Sequence, residues 1–80
     1  MMSKLDLLHL LARYEDLDAA SVAHELGGTH AAAGMLLLRL TRHGLIQRTL
    51  DPDDRVLFYN LTEKGRARLA YLTKIHENTR

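Results

Sequence analysis

The pattern of apolar and polar positions predicts four helices, each opened by a capping side chain. Ser3 and Asp6 have the spacing of a capping box, which predicts the start of the first helix. This helix should run to about Tyr14. Asp18 caps a short second helix, and the pair Gly27-Gly28 ends that helix in the manner of a C-terminal glycine cap.

The third predicted helix begins after the cap Thr29, stops at Gly44, and is apolar on two opposite sides. One side is an ordinary apolar stripe of Ala33, Leu36, Leu37 and Leu40. The other side carries Ala31, Met35, Leu38 and Arg42. The face that should meet water or a ligand is therefore apolar for most of its length.

Two segments rich in β-forming residues, 45–50 and 55–61, follow the third helix. The turn sequence Asp51-Pro52-Asp53-Asp54 separates them, and its proline presets the φ angle that the turn needs. The two segments predict one hairpin, after which Thr62 caps a last helix over residues 62–75. The predicted fold is mainly α with a small β-hairpin, in a single domain spanning residues 1–80.

Length and composition exclude several classes of protein. A chain of 80 residues buries only about 60–65% of its unfolded surface, so a partner that adds to the core would stabilise it. No apolar run is long enough to span a membrane and no secretion leader is evident, so we expect a cytoplasmic protein with no membrane contact. The chain has no cysteine, and its net charge of +1 weighs against strong nonspecific binding to nucleic acid.

Sequence features of enzymes are missing. The five histidines do not form pairs at metal-ligand spacing with a third ligand nearby. The sequence has no Ser-His-Asp order, no phosphate-binding glycine loop and no pair of carboxylates in an apolar setting. We therefore expect neither an enzyme, nor a cofactor, nor a metal site.

The motifs resemble those of winged helix-turn-helix transcriptional regulators. The string VAHELGGTHAAAGMLLLRLTRHGLIQR, residues 22–48, is similar to their helix-turn-helix and the strand that enters the wing. Residues 51–55 (DPDDR) resemble the wing tip of the MarR family, and residues 58–65 (FYNLTEKG) resemble the wing exit of MarR-like and PadR-like proteins. The resemblance implies a three-helix core, a two-stranded wing, a C-terminal helix and binding to duplex DNA.

This resemblance implies a DNA interface on the third helix, at about residues 29–43, and on the wing, at about residues 45–61. Thr29 and His30 offer hydrogen-bonding groups to base edges, Ala31 and Met35 offer apolar contact to thymine methyls, and Gly34 permits close approach. The candidates for phosphate contacts are Arg39, Arg42, Arg48 and Lys64. Arg55 resembles the minor-groove arginine of MarR-like wings.

Each of these assignments has an alternative. The basic side chains also suit an ordinary solvated surface, Thr29 caps a helix whatever the protein does, and Arg55 can pair with Asp53 or Asp54. Recognition helices of the family commonly present polar residues where this chain is apolar. The alternative function is a winged-helix module that contacts another protein through Met35 and Leu38 and does not bind DNA.

The first helix bears on assembly because it is apolar all round and must be covered on both sides. The last helix can supply the second cover, either from the same chain or from a second copy. We expect a homodimer with an interface of Leu7, Leu10, Leu11, Tyr14, Leu72 and Ile75. A two-fold dimer places its recognition helices about 34 Å apart and matches a palindromic operator.

Overall fold

The computed structural model describes residues 2–78, with side chains described for residues 2–75, and this part of the chain forms four helices and one antiparallel hairpin. The elements are α1 (Lys4–Arg13), α2 (Ala19–Leu26), α3 (His30–Arg42), β1 (Ile46–Leu50), β2 (Leu57–Leu61) and α4 (Glu63–Asn78). The predicted fold class, mainly α with a small β-hairpin, is confirmed.

Local capping determines where the helices begin, as the sequence predicted. In each case the side-chain oxygen of the cap accepts a hydrogen bond from the backbone N–H three residues later. The pairs are Ser3 with Asp6 (3.1 Å), Asp18 with Ser21 (2.7 Å), Thr29 with Ala32 (3.0 Å) and Thr62 with Gly65 (3.0 Å). Gly27 ends α2 in the left-handed conformation, with φ at 69°, which a residue without Cβ adopts at little cost.

The core lies between the helices and the base of the hairpin. The predicted stripe of α3 is buried, with Ala33, Leu37 and Leu40 fully inaccessible to solvent. It packs in one cluster with the buried residues of α1, with Val22 of α2 and with Ile46 of β1. Burial of this stripe fixes which face of α3 remains outside.

The chain covers both sides of α1 itself, because α2, β2 and α4 all pack against this helix. Leu7, Leu10 and Leu11 are only 0%, 8% and 3% exposed. Their assignment to a contact with a second copy is therefore corrected: they belong to the core of the single chain. Of the other residues assigned to that contact, Leu72 is half-buried against the core, and Tyr14 and Ile75 remain exposed.

The second strand of the hairpin is shorter than predicted. It begins at Leu57 rather than at Arg55, because Arg55 adopts φ of 57° and its N–H donates to the Asp51 carbonyl at 2.8 Å. The connection therefore occupies residues 51–56, and the strands pair from Ile46 opposite Leu61 to Leu50 opposite Leu57.

A feature that the sequence did not predict ties the α1–α2 connection to the hairpin. The N–H of Tyr59 donates to the Leu17 carbonyl at 2.8 Å, which adds a one-residue bridge to the edge of the sheet. Beside it, the Asp16 N–H donates to Asn60 Oδ1 at 2.9 Å, and Asn60 Nδ2 donates to Asp16 Oδ1 at 2.8 Å. The hairpin is thus held to the helical core along β2 as well as at its base.

A second unpredicted contact lies where α3, β1 and α4 meet. The hydroxyl of Thr62 donates to the Gly44 carbonyl at 2.6 Å, and Lys64 Nζ donates to the His43 carbonyl at 2.9 Å. These bonds satisfy carbonyls at the end of α3 that have no partner within the helix. They fix the start of α4 against the end of α3.

None of the helices within residues 2–78 is long and apolar enough to cross a membrane.

Candidate nucleic-acid interface

The outer face of α3 is an exposed apolar surface. Met35 is 69% exposed and Leu38 is 42% exposed, and Ala31 and Ala32 are also exposed. The periodicity of the sequence predicted this arrangement, since the opposite face of the same helix fills the core. Met35 and Leu38 therefore contribute little to the core of the single chain.

The start of α3 lies beside the wing. His30, Gly34 and Arg55 line one groove together with Asp18 of the α2 cap and Leu57 of β2. Fold geometry thus brings together three of the residues assigned to DNA, which come from two separate elements. The pKa of Asp18 lies below its ordinary value, chiefly because the side chain and backbone of Ser21 hydrogen-bond to its carboxylate, and His30 lowers it further.

Gly34 is unusual because none of the described residues that surround it requires a glycine there. A Cβ built on Gly34 meets no atom within 4 Å, and the residue lies in the interior of α3. Glycine at such a position costs about 0.5–1 kcal/mol relative to alanine. The missing side chain instead leaves the α3 backbone accessible from outside, as close approach of a ligand requires.

The arginines assigned to DNA occupy different places. Arg39 and Arg42 line a depression with Met35, Leu38 and His43, at the end of the apolar face of α3. Arg48 lies on β1, opposite Tyr59 in the sheet, and is exposed. Arg55 lies in the connection between the strands, so these cations are spread over α3 and the hairpin and do not form one compact patch.

Sequence reasoning missed part of the basic surface. Lys4, His43 and Arg68 line a depression together with Arg42, Lys64 and Leu45. The four-residue spacing of Lys64 and Arg68 on α4 was a readable signal, since such residues share a helix face. That Lys4 of α1 lies beside Arg68 could not be predicted from the sequence, because it depends on how α1 and α4 pack.

Among residues whose side chains are described, no three His, Asp or Glu side chains are grouped as metal ligands.

Thr29, assigned to base contacts, uses its hydroxyl oxygen to cap α3 but keeps its hydroxyl hydrogen for donation. The surface offers apolar contact, a few hydrogen-bonding groups and nearby cations. Together these suit a ligand that has grooves and a negatively charged backbone, as a nucleic-acid duplex has.

A helical core, a two-stranded hairpin and an exposed third helix define a winged helix-turn-helix domain. Solved structures of MarR-family winged-helix transcriptional regulators share this fold over nearly the whole chain, so the resemblance found in the sequence is confirmed. FabT of Streptococcus pneumoniae, solved in complex with DNA, has a TM-score of 0.82 and 26% identity, over 95% of this chain and 54% of FabT.

Two further regulators show the same similarity. MepR, a transcription regulator of the Staphylococcus aureus multidrug efflux pump MepA, has a TM-score of 0.86 and 26% identity, over 95% of this chain and 57% of MepR. A variant of Lactococcus lactis ZitR has a TM-score of 0.79 and 30% identity, over 95% of this chain and 52% of ZitR. The chain spans about half the length of these proteins. No protein-family model and no curated protein matches it.

Proposed function

We propose that this chain is the DNA-binding domain of a transcriptional regulator, with α3 in the major groove and the hairpin at the adjacent minor groove. The observation that carries the proposal is the groove shared by His30, Gly34 and Arg55, on a fold that FabT and MepR present to DNA in their complexes. In this proposal residues 1–80 form a single domain of a cytoplasmic protein. The domain binds DNA and has no enzyme activity, in keeping with structural neighbours that are transcription regulators.

Base readout in this proposal depends on apolar contact. Each base pair presents a distinct edge in the major groove, and thymine is marked there by its C5 methyl group. Met35 lies about one turn from the start of α3 and is the most exposed large apolar side chain on that helix. We expect Met35 and Ala31 to contact thymine methyls while Gly34 admits the edge of the duplex.

The same apolar face also suits a protein contact, but the neighbouring structures favour DNA. FabT and MepR, whose structures resemble this chain, have both been solved with DNA. The flanking cations Arg39 and Arg42 point the same way, since phosphates lie on either side of a groove.

The active form in this proposal is a homodimer. Because Leu7, Leu10 and Leu11 belong to the core, the residues that remain of the expected interface are Tyr14 (47% exposed), Ile75 (37% exposed) and the half-buried Leu72. A two-fold arrangement would supply two copies of α3 to two half-sites one helical turn apart.

A titration of duplex DNA at several salt concentrations tests the proposal. With about four to six phosphate contacts per dimer, the slope of log K against log salt should lie near −4 to −5, because bound cations release condensed counterions. Fluorescence anisotropy with a duplex selected from a randomised pool gives the slope, and the equivalence point should show two chains per site. The absence of duplex binding at low salt would overturn the proposal.

Replacing Arg55 by glycine should weaken DNA binding by about 1–2 kcal/mol without lowering the melting temperature. The side chain is exposed, so its loss does not affect the core, and glycine adopts the φ of 57° found here more readily than arginine does. Calorimetry and the same anisotropy assay measure the two effects. Equal losses of stability and affinity would assign Arg55 to the scaffold instead of the interface.

A further inference from the structure

A group of basic side chains meets at the junction of three helices, at the end of α3 and next to the recognition surface. We call this group the junction cluster: it consists of Lys4, Arg42, His43, Lys64 and Arg68. Lys4 comes from the first turn of α1, Arg42 and His43 from the end of α3, and the other two from α4. Together with Leu45 they line one solvent-exposed depression.

The charges of the junction cluster are not balanced by its own lining. None of the described side chains that line the depression is acidic, while four of them are basic Lys or Arg side chains. Lys64 and Arg68 are four residues apart on one helix face, where like charges repel. The electrostatic repulsion among these cations is unfavourable in the free chain. An anion bound between them would turn this repulsion into attraction.

Capping of α3 accounts for only part of the cluster. Cations near a helix C-terminus are favourable, and Lys64 Nζ donates to the His43 carbonyl at 2.9 Å. Arg42 lies in the last turn of α3 and has the same benefit. Lys4 and Arg68 belong to other helices, and no hydrogen bond of theirs to α3 is found among the described residues.

We propose that the junction cluster binds a phosphate group. A phosphate presents several acceptor oxygens, which suits donors converging from three elements, and charge-assisted hydrogen bonds of this kind are strong. Arg42 and His43 line both this depression and the one beside Met35 and Leu38, so the site is continuous with the outer face of α3. If the phosphate belongs to DNA, the inference rests on the proposed function. The surface that contacts DNA would then include residues of α1 and α4 as well as α3 and the wing.

The phosphate can belong to duplex DNA or to a free phosphorylated ligand, and two measurements distinguish these sources. The variant combines Lys4→Gln with Arg68→Gln, which removes two exposed charges and leaves the Lys64 bond intact. The matched control combines Arg66→Gln with Lys74→Gln, which removes one exposed arginine and one exposed lysine of α4 and leaves Arg13 over the ring of Tyr14.

For a DNA phosphate, the variant should bind duplex DNA about tenfold more weakly, with a salt slope shallower by about one for each bound chain, and the control should match the wild type. For a free ligand, pyrophosphate at constant ionic strength should raise the melting temperature of the wild type and the control but not of the variant. If the wild type binds no duplex, the proposed function fails while the pyrophosphate measurement still tests the cluster. Identical behaviour of variant and control in both measurements would overturn the inference.

Discussion

Replacing Gly65 by alanine is expected to lower the free energy of unfolding by about 3 kcal/mol. A Cβ at this position would overlap the backbone carbonyl oxygen of Leu45, and it would lie 2.9 Å from the carbonyl carbon of Leu45 and 3.1 Å from a methyl of Leu61. The obstacle is backbone, so it cannot move aside as a flexible side chain would. The start of α4 would have to shift away from Leu45, which would strain the bonds that Thr62 makes to Gly44 and Gly65.

For a domain of this size, a loss of about 3 kcal/mol lowers the melting temperature by roughly 12–24 °C. Thermal unfolding followed by circular dichroism measures the change. Gly34→Ala is the matched control: its Cβ meets nothing within 4 Å, and alanine in a helix interior should raise stability by about 0.5–1 kcal/mol. Similar melting temperatures for both variants would show that α4 does not lie so close to the Leu45 backbone.

Replacing Met35 by glutamate is expected to reduce affinity for duplex DNA about 100-fold, which corresponds to about 2.7 kcal/mol. The substitution places a carboxylate on the face of α3 that the proposed function assigns to the groove, where it would face phosphates and lose its hydration. Because Met35 is 69% exposed, the melting temperature should change little. Anisotropy titration at fixed salt and a thermal melt of the same sample measure the two quantities.

Met35→Gln separates charge from shape, since glutamine has nearly the size of glutamate but no charge. We expect it to weaken binding by roughly 1 kcal/mol, through the lost contact to a thymine methyl. Replacing thymine by uracil at the contacted position should weaken the wild type and leave Met35→Gln unaffected. Unchanged affinity for Met35→Glu would remove the outer face of α3 from the DNA interface.

Much of the fold was predictable because its signals are local. A cap and its acceptor lie three residues apart, and the buried stripe of α3 repeats every turn, so both can be identified from neighbouring residues. The apolar outer face followed from the same periodicity, and the structure leaves Met35 and Leu38 exposed as expected.

What the sequence did not predict depends on how distant segments pack. The pairing of Asp16 with Asn60 joins residues far apart in the chain, and neither residue is marked as a partner of the other. The burial of Leu7, Leu10 and Leu11 depended on whether one chain could cover both sides of α1, and periodicity alone cannot decide this. Lys4 could be placed beside Arg68 only once α1 and α4 were seen to pack together.

The attachment of Leu17 and Asp16 to β2 bears on how such a domain can be recombined. A hairpin transplanted from another protein would lack Asn60 and would leave the Asp16 N–H without its acceptor at 2.9 Å. The unit that can be exchanged without loss is therefore the hairpin together with the connection between α1 and α2. In a chimera built this way, the donor's wing would keep both the side-chain and the backbone bonds to the connection, whereas a hairpin grafted alone would keep only the backbone bond from position 59 to Leu17.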